Sequence, residues 1–383
     1  MGWRVGGLVG EMFILQHSPT HPLPTPPTLP PIHSPLPHSP THPLPHSPTP
    51  PLSHPSTLPP IHSSTLPLPT SHSPMLSIAN LGITFTQYDQ GLRRKQLTVI
   101  SDLDLTVQAG ELVAVVGSSG SGKSLLAHAL LGILPENAHL TGTMQFQGAP
   151  LTPERCRALR GRAIALIPQS VGYLDPLMTV GQQVQRVGRL SGLSPGMARA
   201  AVDRTFARYE LPATTRQRYP FQLSGGMARR VLVSTAVVTQ ADLVIADEPT
   251  PGLHPDVVTE TLNHLRELAQ GGRGVILITH DIEAALQVAD RVAVFYAGTT
   301  AEIAAARDFA TGNLRHPYTQ ALWRSLPQNE FVPVPGNQPS PERLPPGCLF
   351  SDRCPWATAE CEAGRPELRR VREGWVRCIH AEG

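Results

Sequence analysis

The sequence predicts an α/β fold in which a parallel sheet is covered by helices on both faces. Two observations support this prediction: short β-branched and aliphatic runs recur after residue 110, and helical patterns separate most of them. Alternation of this kind favours parallel strands, because each helix carries the chain back across the sheet. The runs predicted as buried strands are LVAVVG (112–117), AIALIP (163–168), LVIADE (243–248), GVILIT (274–279) and RVAVFYAG (291–298).

A segment rich in Pro, His, Ser and Thr precedes this pattern. No Asp, Glu, Lys or Arg occurs between Glu11 and Asp89, and such a composition offers too little apolar surface to offset chain entropy. We therefore expect residues 1–74 to be disordered. Three interpretations stay open: a tail or upstream stretch that is not part of the native protein, with Met75 as the natural start; a histidine-rich metal-buffering tail; or a polyproline ligand for another protein.

The strongest motif follows the first predicted strand. It has the pattern G-x-x-x-x-G-K-S, with a strand before it and a helix after it, which is the context that a phosphate-binding P-loop requires. Its backbone N–H groups and the helix N-terminus can surround a triphosphate, while the lysine binds the β- and γ-phosphates and the last serine binds Mg²⁺. The eight residues are Gly117, Ser118, Ser119, Gly120, Ser121, Gly122, Lys123 and Ser124.

The run LVIADE supplies two adjacent carboxylates. Asp247 ends an apolar strand and is expected at the carboxyl edge of the sheet, where it can reach the Mg²⁺ shell. Glu248 follows directly and is expected to polarise the water that attacks the γ-phosphate. Together with the P-loop, the pair predicts hydrolysis of ATP with Mg²⁺.

The combination of GSSGSGKS, LSGGM, LVIADEPT and ITHD resembles the ATP-binding cassette (ABC) ATPases over roughly Leu76 to Asp308. The resemblance implies that LSGGM does not serve the nucleotide held by its own chain. Two subunits pack head to tail in that family, and Ser224, Gly225 and Gly226 would close over the γ-phosphate held by the partner's P-loop.

Three further roles are implied by the resemblance. Gln169 in IPQSVGYLDP would sense Mg²⁺ and the γ-phosphate and move a helical subdomain of about residues 170–235. His280 in ITHD would contact the γ-phosphate and hold the water, and Phe85 would stack on adenine, with Tyr88 close by. The chain departs from the family pattern at His254, which stands where a D-loop aspartate is usual. It departs again after LSGGM, where Ala228 and Arg229 follow and relatives commonly have a glutamine before Arg230.

The C-terminal part narrows the type of transporter. HPYTQALWRSLP (316–327) and PERLPPGCLFSDRCPWATAEC resemble the C-terminal extension of the peptide and nickel importer branch. The resemblance implies an ATPase domain over residues 75–310 and a small extension over residues 311–383. Four of the five cysteines lie in the extension, without the spacing of a zinc ribbon. A [4Fe–4S] cluster, which some members of the branch carry, zinc, and free thiols all remain open for Cys348, Cys354, Cys361 and Cys378.

The expected function is that of the ATP-hydrolysing subunit of an importer for di- or oligopeptides, with nickel or a metal chelate as the alternative cargo. A soluble ABC ATPase without a transport role, or a redox or metal sensor, is a more remote alternative. The expected partners are transmembrane permease subunits, a second ABC ATPase subunit and an extracytoplasmic substrate-binding protein. No nucleic acid is expected, because the formal net charge is only +2. The chain would lie peripherally on the cytoplasmic face of the membrane.

Overall fold

The computed structural model of the protein describes residues 73–88 and 93–382. The prediction that residues 1–74 are disordered lies outside the described residues, apart from the last two positions. Within the part of the chain that the structure describes, no helix combines the length and the apolar character needed to cross a membrane.

The described residues contain strands that belong to two sheets. They are β1 (Leu76–Tyr88), β2 (Arg94–Val107), β3 (Leu112–Gly117), β4 (Ala138–Phe146), β5 (Ala149–Pro150), β6 (Ile164–Ile167), β7 (Leu243–Asp247), β8 (Gly274–Ile278), β9 (Arg291–Tyr296), β10 (Thr299–Ala305), β11 (Arg369–Val371) and β12 (Gly374–Val376).

In chain order, most α-helices of the described residues lie between strands of the larger sheet. They are α1 (Lys123–Leu131), α2 (Pro153–Leu159), α3 (Val180–Leu190), α4 (Pro195–Arg208), α5 (Gly225–Val237), α6 (Pro255–Gln270), α7 (Ile282–Val288), α8 (Ala306–Thr311), α9 (Pro317–Arg324) and α10 (Ala359–Ala363). Short 3₁₀ turns occupy Val171–Tyr173, Ala213–Gln217, Pro220–Gln222 and Ser351–Arg353.

The larger sheet has the order β11-β12-β10-β9-β3-β8-β7-β6. Its five strands from β9 to β6 are parallel, and β10, β12 and β11 extend it with antiparallel pairs. These five strands are the apolar runs predicted from the sequence, and every residue of β3, β7 and β8 is buried. The α/β prediction is therefore confirmed, with strand ends that differ by one or two residues.

A second, antiparallel sheet was not predicted. It has the order β2-β1-β4-β5, and its apolar face joins the largest buried cluster of the described residues. In that cluster Leu76 of β1 and Leu103 of β2 pack with Val113 of β3 and Leu126 of α1, and all four are fully buried. Alternation of apolar and polar residues along these strands is consistent with one covered face.

Three helices, α3, α4 and α5, lie between β6 and β7 and form a core of their own. Val184, Val202, Phe206 and Val231 are buried there against one another. Each helix starts at a side-chain cap, as in α3, where Thr179 accepts a hydrogen bond from the backbone of Gln182. This separate cluster makes the three helices a distinct packing unit above the edge strand β6.

The C-terminal extension is continuous with the larger sheet. Its strand β12 pairs with β10, and β11 pairs with β12 at the edge of the sheet. Tyr318 and Phe350 pack in the same cluster as Val116 and Tyr296. A buried Arg315 joins the two parts further, because its guanidinium lies 3.3 Å from Glu302 and 2.9 Å from Asp308. The described part of the extension therefore packs largely into the core of the sheet.

Candidate active site

The carboxyl ends of four adjacent parallel strands, β3, β8, β7 and β6, bring the predicted catalytic residues to one edge of the sheet. In the registers, Ile278 lies opposite both Val115 and Asp247, and Ala246 lies opposite Ile167. The P-loop, His280, Glu248 and Gln169 all follow these strand ends within a few residues. The edge of a parallel sheet where such loops meet is the usual position of a ligand site in an open α/β sheet.

The P-loop needs its glycines for reasons internal to this chain. A Cβ on Gly117 would lie 2.3 Å from the carbonyl oxygen of Phe295, and one on Gly122 would lie 2.9 Å from Ile100. Gly122 also has a φ of +92°, a left-handed conformation that favours glycine. Ser121 between them is fully buried, while Ser119 and Gly120 are exposed at the tip of the loop.

Lys123, the first residue of α1, points back into its own loop. Its Nζ donates hydrogen bonds to the carbonyl oxygens of Gly117 (2.8 Å) and Ser118 (3.0 Å). Burial lowers the pKa of Lys123 from its ordinary value, and the carboxylates Glu248 and Asp247 offset part of that decrease. Because an ammonium group has three N–H donors, one remains for a phosphate oxygen.

Asp247 and Ser124 are the candidate oxygen ligands of a divalent cation. The Oδ1 atom of Asp247 is buried and has no hydrogen-bond partner among the described residues. Burial raises the pKa of Asp247, and the neighbouring Ser124 offsets part of the increase. A buried carboxylate oxygen without a partner, beside a hydroxyl group, is the hard donor set that Mg²⁺ prefers, so these residues fit the ion.

Glu248 and His280 form a hydrogen-bonded pair at the centre of this edge. His280 Nδ1 lies 2.9 Å from both Oε1 and Oε2 of Glu248. An ionised carboxylate can only accept, so Nδ1 must carry the proton in this contact. The glutamate side chain is 9% exposed and that of the histidine 68% exposed, which leaves the imidazole edge open to a ligand.

The backbone of Glu248 is strained. Its φ is +47°, which is uncommon for a residue with a side chain, and its N–H donates to the carbonyl oxygen of Ile278 at 2.9 Å. Its own carbonyl oxygen accepts a hydrogen bond from Arg229 Nη1 of α5 at 2.9 Å. The sequence indicates no role for Arg229, and its position next to LSGGM is the one signal that points to it.

Gln169 and Phe85 have fewer described contacts with the other site residues at this edge of the larger sheet. Gln169 is exposed and follows β6 by two residues, which places it beyond the strand next to β7. Phe85 is partly buried against the main core, opposite Leu97 of β2. Tyr88, the neighbouring aromatic residue, is 63% exposed, with the guanidinium of Arg94 6.0 Å from its ring centre.

The LSGGM residues begin α5 and face outward. Ser224 caps the helix by accepting a hydrogen bond from the Met227 N–H at 3.3 Å, and both Ser224 and Gly225 are exposed. Among the described residues, no hydrogen bond joins Ser224, Gly225 or Gly226 to the P-loop of the same chain. Nearby, His254 precedes α6, and its Nδ1 lies 3.3 Å from Asp256 in an exposed pair.

The four cysteines of the extension surround one small cavity. Burial raises the pKa of the thiols of Cys348, Cys354 and Cys378. Within residues 73–88 and 93–382, no three His, Cys, Asp or Glu side chains are grouped closely enough to hold a single metal ion. The cavity is lined in part by Cys348, Cys354, Cys361, Cys378, His316 and His380.

Comparison with known families and proteins identifies the family to which the chain is similar. Residues 100–251 match the family model of the ABC transporter, and residues 301–361 match the model of the oligopeptide/dipeptide transporter C-terminal region. The oligopeptide transport ATP-binding protein OppD of Salmonella typhimurium is 35% identical over 322 residues, which cover 81% of this chain and 94% of that protein. The chain belongs to the ABC transporter family.

Other members of this family have similar sequence identity to this chain over different shares of their own length. OppD of Escherichia coli is 34% identical over 79% of this chain and 92% of its own length. OppD of Mycobacterium tuberculosis is 35% identical, and the chain spans about half (52%) of that longer relative. A dimeric ATP-binding cassette bound to ADP and Pi shares the fold with a TM-score of 0.54, over 61% of this chain and 99% of its own, at 24% identity.

Proposed function

We propose that the protein is the ATP-hydrolysing subunit of an ABC importer for di- or oligopeptides. The observation that carries the proposal is the single sheet edge on which the P-loop, Asp247 and the Glu248–His280 pair meet. The match of the extension to the oligopeptide/dipeptide transporter model supports peptides as cargo. In this proposal residues 75–310 form the ATPase, residues 170–235 contain its helical subdomain, and residues 311–383 form the extension.

The proposed roles follow from the donors and acceptors at this edge. Lys123 and the N–H groups of the loop bind the β- and γ-phosphates, and Phe85 stacks on the adenine ring. Ser124 and Asp247, with Gln169, would hold Mg²⁺, which neutralises charge on the triphosphate when bound. Glu248 accepts a proton from, and orients, the attacking water. In its imidazolium form, His280 donates from Nδ1 to the Glu248 carboxylate and from Nε2 to a γ-phosphate oxygen.

A second ABC ATPase subunit completes each nucleotide site in this proposal. Ser224, Gly225 and Gly226 lie exposed at the N-terminus of α5, where three N–H groups and the positive end of the helix suit an anion. Light scattering of the Glu248→Gln variant with its partner subunit should show a larger assembly after addition of Mg-ATP. An unchanged assembly under these conditions would contradict the two-subunit site.

Permease subunits are proposed to dock next to Gln169. Val171, Tyr173 and Leu177 are apolar yet exposed there, and Leu177 is 86% exposed. Such side chains gain free energy when a partner covers them. The permeases would hold this subunit on the cytoplasmic face of the membrane, and an extracytoplasmic binding protein would deliver the peptide.

Uptake by the reconstituted complex tests the proposed function. Vesicles that contain the permeases, both ATPase subunits and the binding protein should accumulate a labelled tripeptide only with Mg-ATP. Lys123→Ala should abolish ATP binding and uptake together, because it removes the buried cation that the phosphates require. Retention of ATP-driven uptake by this variant, or uptake of nickel but no peptide, would refute the assignment.

We propose further that the cysteine quartet binds a [4Fe–4S] cluster. All four thiols line the same cavity, which supports a shared ligand set. Four cysteine thiolates suit a [4Fe–4S] cluster, and the spacing of the quartet along the chain does not match a zinc ribbon. Protein purified without oxygen should be brown and contain iron, and Cys348→Ser should reduce the iron content. Colourless, iron-free protein would contradict this proposal.

A further inference from the structure

A segment of the extension reaches the nucleotide site from outside the ATPase fold. Ser118, the second residue of the P-loop, donates a hydrogen bond from Oγ to Oε1 of Gln338 at 2.5 Å, and 220 residues separate the two. Four residues further on, Glu342 lies 3.1 Å from Lys95 of β2. The segment therefore spans from the phosphate-binding loop to β2, which pairs with the strand that carries Phe85.

Arg353 holds the residues that precede Gln338 in the chain. Arg353 donates from Nε to the carbonyl oxygen of Pro335 (2.6 Å), and from Nη2 to that of Val334 (3.1 Å). Its Nη1 also bonds the hydroxyl of Tyr296 in β9 at 3.1 Å, and its guanidinium lies 5.8 Å from the centre of that ring. Since β9 pairs with β3, which ends in the P-loop, the segment and the loop rest on the same two strands.

Tyr318 lies in the protein interior next to Ser118, and its hydroxyl group makes no hydrogen bond among the described residues. Its ring packs against Tyr296, with a centroid distance of 4.4 Å, and against Phe350 at 5.4 Å. Burial raises the pKa of Tyr318, and the adjacent Ser118 offsets part of this increase. Of the two residues Tyr318 and Gln338 of the extension, only Gln338 makes a hydrogen bond with Ser118.

We infer that Gln338 is a positioning residue of the nucleotide site, which holds Ser118 and thereby keeps the P-loop in the shape that receives the triphosphate. A loop that is already ordered loses less entropy when a ligand binds, so its affinity is higher. Gln338 acts through Ser118 and does not take part in bond breaking. Its contribution therefore appears in the affinity for nucleotide, whereas the rate of hydrolysis at saturation is unchanged.

This inference rests on the proposed function, and two measurements separate it from that proposal. The dissociation constants of Mg-ATP and of Mg-tripolyphosphate are measured by titration calorimetry on the full chain in the Glu248→Gln background, which prevents turnover. Gln338→Ala should raise both constants by a similar factor of about three to ten, the usual effect of one lost hydrogen bond. In the otherwise wild-type chain, the same variant should raise KM and leave kcat unchanged.

Two further variants act as controls. Gln328→Ala replaces an exposed glutamine of the same extension that makes no side-chain hydrogen bond among the described residues, and it should change neither constant. Ser118→Ala removes the donor and leaves the extension intact, and Ser118→Ala with Gln338→Ala should bind no more weakly than Ser118→Ala alone.

The outcomes are distinct. A chain with intact Gln338 that binds no Mg-ATP overturns the proposed function itself. If the chain with intact Gln338 binds Mg-ATP normally and Gln338→Ala has the same dissociation constant, only the inference is overturned. The inference is also overturned if the loss of affinity in the double variant equals the product of the losses in the two single variants. An equal loss in Gln328→Ala also overturns the inference, because the effect would then not depend on Gln338.

Discussion

The N-termini of α1 and α5 both present backbone N–H groups at a Gly-rich turn, yet their surroundings differ. At α1, Cβ atoms on Gly117 and Gly122 would collide with Phe295 and Ile100 of the same chain. At α5, a Cβ on Gly225 would have no neighbour within 4 Å. The glycines of the P-loop are therefore required by this chain, whereas the fold of this chain gives no reason for Gly225. A requirement at that position must come from a ligand or a partner.

The polar contacts of the two helix ends differ in the same way. Lys123 at α1 is buried and bonded to its own loop, and Ser118 is hydrogen-bonded to Gln338 of the extension. Ser224 at α5 caps only its own helix and is otherwise exposed. One N-terminus is completed within the chain, and the other is left open. This difference is the physical argument for a nucleotide site shared by two polypeptides.

The largest expected effect concerns the edge next to α1. Glu248→Gln removes the carboxylate that His280 contacts and that would orient water, so turnover should fall by about 10²–10⁴-fold, the usual contribution of a general base. Binding of Mg-ATP should persist, because the P-loop is unchanged. Steady-state phosphate release measures the turnover, and equilibrium binding measures the affinity for Mg-ATP. Unchanged turnover would show that the base lies elsewhere.

The next variant tests the open helix end directly. Gly225→Ala adds a methyl group that this chain accommodates, so the thermal midpoint of the isolated subunit should not fall. If the N–H groups of α5 bind the partner's nucleotide, ATPase activity of the assembled complex should drop by about ten- to a hundredfold, as expected for a lost charge-assisted contact. Gly196→Ala is the matched control, since Gly196 is the second residue of α4 and its Cβ would also meet nothing within 4 Å. Equal activities of the two variants would argue that α5 contacts no nucleotide.

Acid should weaken the packing that supports α5. His264 is buried against Tyr209, whose carbonyl oxygen bonds Arg230 of α5, and burial lowers the pKa of His264 to about 4. The unfolded chain, with a histidine pKa near 6.5, binds more protons between pH 6.5 and 4. The stabilisation is therefore complete above pH 6.5 and is lost as the pH falls towards 4.

At pH 5 the loss from His264 should be about 2 kcal/mol relative to pH 7. Buried His316, whose pKa is also lowered to about 4, should add to it. Denaturant unfolding at the two pH values measures the difference in the free energy of unfolding. His264→Gln should reduce the pH dependence, whatever it does to stability at pH 7. A pH dependence that stays the same in this variant would exclude His264 as the titrating group.

The smallest effect on turnover is expected at Arg229, where α5 contacts the strand end that carries Glu248. Arg229 of α5 donates to the backbone oxygen of Glu248, so it connects the open helix to the strained strand end. Arg229→Ala should lower turnover by about three- to tenfold, less than the full value of a hydrogen bond to a charged group, because Arg229 acts only through the backbone of Glu248. The affinity for ATP should be unchanged. A matched change at Arg199, an exposed residue of α4, should alter neither quantity. A loss of affinity without loss of turnover would place Arg229 in the binding site instead.

The sequence predicted the parallel strands and the P-loop because their signals are local. The stretches LVAVVG and GVILI contain no polar side chain, and the structure has them buried within one residue of the predicted ends. The antiparallel sheet of β1, β2 and β4 was not predicted, since its strands carry many exposed positions and depend on pairing with distant partners. The contact of Arg229 with Glu248 was not predicted either, because it also joins residues that are distant in the sequence.

The sequence by itself determined which groups could bind a triphosphate, a divalent cation and an attacking water, because spacing and residue type specify that chemistry. Only the tertiary structure decided which of these groups meet. It paired His280 with Glu248, left Ser224 exposed, and brought Gln338 to Ser118 across 220 residues. The physical reason is that contacts between distant residues depend on strand order and packing, which no short stretch of sequence encodes.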